Sequence, residues 1–393
     1  MSRVGIIREP RPDTGTLRPD MQRILVLGGY GFFGARICAA LARNPRIQLL
    51  IAGRSAEKAT ALAYQLGLRA ENARALDAGS PQFSQALRKL GVNTLIHTAG
   101  PFQEQNYGVA LAAIQAGCNY LDLADGREFV GGIGKLDAAA KSASVAVVSG
   151  VSSLPAMTTA VIDRYLGEFS RLDTVRSGIT SGAVVPGIAT IHAVLGYCGQ
   201  PFRVLENGQW NVEYGWLDRV EHEFPKVVGT RPLGRCDVPD LDLLPQRYPS
   251  LKTASFHAGY ASRTAHTVVE WIAKRVRDGK MKSAVPLAGA MYRVARWLQP
   301  IASDRGAMFI TMEGIDPDGD ALSLTWNLVA RDNDGPNIPC AAAIALANKL
   351  AAGQALPPGA YPCMGLLTVE ELLEPLKGLS IRELAPANAR NLS

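Results

Sequence analysis

Cysteine is scarce in this chain and never paired at short range. Six cysteines stand at 38, 118, 198, 236, 340 and 363 of 393 residues, with no C-x-x-C. This spacing excludes a zinc ribbon and a small disulfide scaffold. It reads as free thiols in a reducing compartment, so a cytoplasmic location is expected. The five histidines show no H-E-x-x-H and no other ligand spacing, so no metal site is expected. No run of 18 uncharged apolar residues occurs, which argues against a spanning helix. Charged residues are 19% and hydrophobic residues 47%, which excludes a disordered chain. The formal net charge is only +6, too small and too dispersed for a dedicated nucleic-acid binder. The length argues for two domains.

Residues 1–20 carry four arginines and three prolines but no apolar core of a secretory signal. They read as a disordered tail. Apolar runs at 23–28, 47–52, 73–76, 94–98, 120–123 and 145–149 then alternate with helical segments. Such alternation predicts a doubly wound parallel Rossmann sheet over 21–152. Beyond it, the Asn207-Gly208 pair and the turn Asp316-Pro317-Asp318-Gly319-Asp320 are hairpin signals. Residues 153–330 therefore read as an α+β domain with a mixed sheet, for substrate or dimer contacts. Helices are expected at 340–352 and 369–376.

The segment Gly28-Gly29-Tyr30-Gly31-Phe32-Phe33-Gly34 holds G-x-G-x-x-G between the first strand and the first helix. In that context the glycines allow a tight turn, close approach to a pyrophosphate, and helix–strand packing. The helix start offers free N–H groups to phosphate. An NAD site normally carries a carboxylate at the end of the second strand. This chain carries Arg54 and Ser55 there. Arg54 can pair with a 2′-phosphate and Ser55 can hydrogen-bond to it, so NADP(H) is expected over NAD(H). Ser55 can also simply cap the next helix. Asp77, after the third strand, can reach an adenine edge or serve as an ordinary cap.

The fourth strand ends in Thr98-Ala99-Gly100-Pro101-Phe102, a floor on which a flat ring can lie. Tyr120-Leu121-Asp122-Leu123-Ala124-Asp125-Gly126 and Ser149-Gly150-Val151-Ser152-Ser153-Leu154-Pro155 follow. With the glycine loop, these motifs make the chain resemble the saccharopine dehydrogenase family in its short, reductase-like form. Gly-x-Ala-Thr at 187–190 fits more loosely, as does the tail from Pro339 to Glu370. The resemblance implies a Rossmann domain followed by an α+β domain, with the C-terminal helices of 331–393 returning to the first domain. It also implies nicotinamide-dependent hydride transfer at a carbon–nitrogen bond of an amino-acid-like substrate. Several relatives resemble enoyl or lipid-linked reductases instead.

Hydride chemistry needs an acid or base near the nicotinamide, at strand carboxyl ends. Asp122, Asp125 and Arg127 stand there. Asp125 is the leading acid/base candidate, and Arg127 a candidate clamp for a substrate carboxylate. His97, in the fourth strand, is a further relay candidate. Tyr248 and Lys252 match a Tyr-x-x-x-Lys spacing, but Pro249 opposes the helix this requires, so the match reads as chance. Residues 271–300 hold seven Lys/Arg against one Asp, with Trp271 and Trp297 among apolar neighbours. That stretch is either a solvated helical face, a dimer contact or a peripheral membrane contact. The reading is an NADP(H)-dependent oxidoreductase for a small molecule. The alternatives are a dinucleotide-binding protein without turnover and a membrane-associated reductase of enoyl or lipid type.

Overall fold

The computed structural model describes residues 21–103, 105–182, 187–298, 303–386 and 389–390. The tail expected at 1–20 lies outside the described residues. Strands β1 (Gln22–Leu27), β2 (Ile47–Gly53), β3 (Ala73–Ala75), β4 (Thr94–His97), β5 (Asn119–Asp122) and β6 (Ala146–Ser149) alternate with helices. These helices are α1 (Gly34–Leu41), α2 (Ala56–Gln65), α3 (Phe83–Lys89), α4 (Gly108–Ala116), α5 (Arg127–Gly131) and α6 (Asp137–Ser142). The strands are largely apolar because helices cover both faces, and Ile24, Leu25 and Val26 are wholly buried. Ser55 accepts the Lys58 N–H and caps α2, and Gly117 ends α4 with a φ of 74°.

All pairs in this sheet are parallel. Its order is β3-β2-β1-β4-β5-β6, with one further strand beyond β6. The order reverses between β1 and β4. A crevice opens there at the strand carboxyl ends, the usual ligand position of an open α/β sheet. The expected doubly wound sheet is therefore present.

Helix α7 (Thr158–Tyr165) leads to the second domain. Its strands are β7 (Arg171–Ser181), β8 (Pro201–Glu206), β9 (Gln209–Tyr214), β10 (Val220–Glu223), β11 (Thr230–Arg235), β12 (Thr253–Tyr260), β13 (Gly306–Ile315) and β14 (Ala321–Ala330). Its helices are α8 (Ile188–Gly196), α9 (Asp240–Arg247), α10 (Arg263–Arg277) and α11 (Ala288–Leu298). The sheet is mixed: β7 pairs parallel with β12 and antiparallel with β13. Hairpins form at Asn207-Gly208 and at 316–320, where the Asp316 carboxylate accepts the Asp318 and Asp320 N–H groups. Strands β7, β10, β11 and β12 carry no clear sequence signal. The central β7 includes Arg171, Asp173 and Arg176, whose charges are paired: Arg171 with Asp173 on the same strand, Asp173 also with Lys252, and Arg176 with Glu313 of β13 at 2.6 Å.

The chain then returns to the first domain. Helix α12 (Ala341–Ala351) is apolar around nearly its whole girth and buried, and it packs on α1. Strand β15 (Gly359–Pro362) is the strand beyond β6, in register from Gly359 opposite Ala146. This strand was not expected from the sequence, since four residues of small and ring side chains carry no alternation. Helix α13 (Val369–Leu373) opens with a capping box from Thr368 and Glu371, and β16 (Ile381–Leu384) joins the second sheet.

The basic stretch at 271–300 falls on α10 and α11, with residues 299–300 outside the described set. Trp271 and Trp297 are 53% and 80% exposed. Part of its charge is neutralised locally, by Glu270 on Lys274 and Asp278 on Arg277. No helix among the described residues is long and apolar enough to cross a membrane. Tyr248 and Lys252 point apart in role: the tyrosine hydroxyl donates to Asp163 at 2.6 Å and the lysine pairs with Asp173.

The burial of α12 yields a stability prediction. Ala343 has no exposed surface. Ala343→Leu should overpack this layer and cost about 1–3 kcal/mol. A lowered Tm in thermal unfolding checks it.

Candidate functional site

The β1–α1 turn is shaped by what it lacks. Gly28 has a φ of 78°, and its N–H and that of Gly29 donate to the Ala52 carbonyl at 2.8 and 3.0 Å. A Cβ on Gly29 would come 2.9 Å from the Val26 carbonyl oxygen, and one on Gly31 2.9 Å from that of Gly28. A Cβ on Gly34 would strike the Gly28 carbonyl and come within 2.8 Å of the Thr98 hydroxyl. Among the described residues, the N–H groups of Phe32 and Phe33 have no backbone acceptor. Unpaired N–H groups at a helix start are the donors an anionic phosphate needs.

Three side chains brace the turn. The Tyr30 ring lies against Gly53, where a Cβ would come 2.6 Å from it, and its hydroxyl accepts the Ser55 N–H at 2.9 Å. Tyr30 thus latches the loop to the end of β2. Thr98 donates its hydroxyl toward the Leu27 and Gly28 carbonyls, tying β4 to the loop. Arg36 lies 4.3 Å over the Phe32 ring and donates to the Phe32 carbonyl. Thr98 and Arg36 carry no motif, and sequence reasoning gave neither of them a role in bracing the turn.

Arg54 stands exposed at the end of β2, with no ion pair or hydrogen bond among the described residues. Ser55 caps α2, as one of its two readings had it. Asp77 is exposed and accepts the Gly79 N–H at 3.0 Å, a local turn contact.

The segment expected as a ring floor is only partly exposed. Ala99, Gly100 and Pro101 lie at the crevice, and Gln105 holds the Ala99 and Pro101 carbonyls at 2.8 and 2.7 Å. Phe102 does not face the ring site. It is 4% exposed and packs below the loop, 5.0 Å from His97 and 5.5 Å from Phe129.

The four candidate catalytic residues separate into three environments. His97 is sealed in the interior, with Nδ1 3.0 Å from the Tyr120 hydroxyl, and burial pushes it down to about 4. Asp122 is wholly buried. One carboxyl oxygen accepts the Ala124 N–H, the Gly150 N–H and the Ser149 hydroxyl, at 2.9–3.0 Å. Burial raises Asp122 to about 6 against the pull of these donors. It fastens the ends of β5 and β6 and does not reach the crevice.

Arg127 has four of its five N–H donors engaged by protein acceptors, so it is not free to clamp a substrate carboxylate bidentately. It donates to both oxygens of Asp242, at 2.6 and 2.5 Å, to Asp237 at 2.9 Å and to the Arg203 carbonyl at 2.8 Å. All three partners belong to the second domain, so Arg127 joins the two domains. The expected clamp is a bridge because α9 and the segment just before it bring Asp242 and Asp237 onto the start of α5.

Asp125 alone of the four is open to solvent, in a cleft of about 210 Å³ between the domains. Its partner is the Gln103 amide, which donates at 3.0 Å. Partial desolvation in the cleft raises its pKa, while Gln103 opposes the shift. Tyr197, Phe202 and Asp237 of the second domain line the facing wall. Tyr197 heads a parallel stack with Trp216 and Tyr260, at 6.5 and 5.1 Å between successive rings. These residues were invisible to motif reasoning, since they converge only through the second sheet.

Helix α8 links the two parts of the site. At its start, a Cβ on Gly187 would touch Phe32 of the glycine loop; at its end, Gly196 and Tyr197 line the cleft. Nine residues span about 13 Å, so the cleft lies a dinucleotide's reach from the glycine loop.

Loop, crevice and sheet order together define a Rossmann dinucleotide-binding domain joined to a mixed-sheet domain. Residues 24–148 match the family model described as the saccharopine dehydrogenase NADP binding domain, so the first domain belongs to that family. No curated protein sequence matches the chain. The fold is similar to that of apo saccharopine dehydrogenase (L-Glu forming) from Saccharomyces cerevisiae, at a TM-score of 0.65 and 14% identity. That match covers 93% of this chain and 100% of the other. Looser matches include an amine dehydrogenase from Mycobacterium smegmatis, with a TM-score of 0.43, 12% identity, and 86% and 94% of the two chains covered. Biliverdin reductase from Synechocystis, in complex with biliverdin and NADP+, matches with a TM-score of 0.42, 12% identity, and 91% and 96% covered.

Two predictions test the assignments of Arg127 and Asp122. Arg127→Ala should lower Tm or split unfolding into two transitions in calorimetry, while nucleotide affinity changes little. A carboxylate clamp would instead leave stability unchanged. The raised Asp122 pKa means the folded state holds that proton more tightly than the unfolded chain. Its contribution is full below about pH 4 and is lost as pH rises through about 6. Asp122→Asn should therefore narrow the stability difference between pH 4 and 7 in urea unfolding. Asp122→Ala orphans three donors and should cost about 2–4 kcal/mol.

Proposed function

We propose that the protein is an NADP(H)-dependent oxidoreductase acting on a small molecule at a carbon–nitrogen bond. The observation that carries the nucleotide assignment is an unpaired guanidinium, Arg54, at the end of β2, where a carboxylate would repel a 2′-phosphate. The family model of the first domain names the same nucleotide. The residues present fit the group: a glycine cradle that a Cβ would fill, and free N–H groups at Phe32 and Phe33. Bound there, the nicotinamide would supply the hydride acceptor or donor.

The chain's own residues do the rest. Glycines 29, 31 and 34 let the backbone approach the pyrophosphate. Tyr30 and Thr98 keep the loop from opening. Ala99, Gly100 and Pro101 form the floor at the end of β4. Asp125 holds or takes a proton at its carboxyl, and its raised pKa keeps it closer to neutral pH than a solvated aspartate. The carbon–nitrogen chemistry draws on the family of the first domain.

A second reading is a nucleotide-binding protein without turnover. It is favoured by the sealing of His97 and Asp122, which leaves Asp125 as the one candidate acid/base group at the cleft that is not held in an ion pair.

Calorimetric titration with NADP+ and NAD+ tests the proposal. Tighter NADP+ binding is expected. Arg54→Ala should weaken NADP+ by about tenfold or more, as loss of a charge-assisted phosphate contact implies, and leave NAD+ unchanged. Tighter NAD+ binding by the unaltered protein would refute it.

A further inference from the structure

The cleft beside Asp125 has a charge pattern with a consequence for its substrate. Among the described residues, the one cation on its wall is Arg127. Four of that residue's donor directions are taken, by Asp242, Asp237 and a carbonyl. Asp237 is in turn held by Arg127. Asp125 has only a neutral amide partner. The balance of fixed charge at the cleft is therefore negative, and among the described lining residues no cation is left without carboxylate partners.

A dicarboxylic substrate would enter this cleft with its charges unpaired and beside like charge, which is costly in a partly desolvated site. A protonated amine meets the opposite condition. Asp125 can pair with it, and the face of Tyr197 can add a cation–π contact. The stack of Trp216 and Tyr260 behind Tyr197 fixes that ring in place. Phe202, 8% exposed, contributes apolar surface for the body of the ligand.

We infer that the cleft binds a cationic amine with an apolar body and lacks the recognition elements for a dicarboxylic amino acid. The inference rests on the oxidoreductase reading, which it narrows to amine rather than amino-acid substrates. Asp125 then has a binding role at the ammonium in addition to its proton-holding role.

The test uses the full chain, with and without NADP+, and three probes: phenethylamine, its neutral analogue phenethyl alcohol, and glutarate. Binding is read by calorimetry or by ligand-observed NMR. Phenethylamine should bind at least about tenfold more tightly than either of the others, the equivalent of one partly desolvated ion pair. Asp125→Asn should abolish that preference, Asp125→Glu should retain most of it, and NADP+ affinity should be unchanged in both. Circular dichroism confirms that the variants fold. Glutarate binding as tightly as the amine, no amine binding at millimolar concentration, or an unchanged preference in Asp125→Asn would overturn the inference. So would an Asp125→Asn effect confined to NADP+ affinity, since the carboxylate would then face the nucleotide. Failure of NADP+ binding alone would strike the nucleotide assignment, while the amine arm without nucleotide would still be scored.

Discussion

A helix can present its first N–H groups to a phosphate only if the backbone before it turns sharply enough to leave them uncovered. In this protein that turn runs from Gly28 to Gly34, and side chains are excluded by contact: Val26, Gly28 and Thr98 occupy the space where Cβ atoms would lie. Everything else at the site is arranged around the opening so created. Tyr30 anchors it to β2, Thr98 anchors it to β4, and α8 crosses from it to the cleft. The apolar strands beneath supply the rigidity, since their residues are buried on both faces and cannot shift without loss of packing.

Three aspartate and histidine candidates near the ends of β4 and β5 show how burial sorts chemically similar groups. Asp122 and Asp125 are three residues apart. Asp122 points into the sheet end and spends its oxygen on three donors; Asp125 points into the cleft and has one. His97 is neutral at physiological pH because burial disfavours its charged form. A side chain's type states what chemistry it can do; its exposure states whether a substrate can use it.

The domain junction depends on the Arg127 bridge and on the return of the chain after β14. Without α12 and β15, the first domain would lose the helix packed on α1 and β1, and its sheet the last strand. The two domains are thus joined covalently at three places, since the chain leaves again from β15 to β16, and electrostatically at a fourth. The electrostatic link also removes the cation that would otherwise make the cleft attractive to carboxylates, so one set of ion pairs shapes both architecture and selectivity.

The first domain was legible in the sequence because its physics is local. A parallel strand buried on both faces is an apolar run, a helix start after it is marked by glycine, and Arg54 stands at a fixed distance along the chain. The family likeness followed from the same segments. The second domain was legible only at its tight turns, Asn207-Gly208 and 316–320. Strands β7 and β12 are specified by partners far away in sequence, and β15 is a strand only because β6 offers an open edge. The same distinction governs the site. Sequence alone determined the glycine cradle and the residue types at the strand ends. Tertiary structure decided that Arg127 meets Asp237 and Asp242, that Phe102 lies under the floor, and that Tyr197 faces Asp125. The contacts of Arg127 and the pairing of Tyr197 with Asp125 on one cleft join residues about 70 to 115 positions apart, and only the packing of one domain on the other sets which charges are neutralised and which remain to meet a ligand.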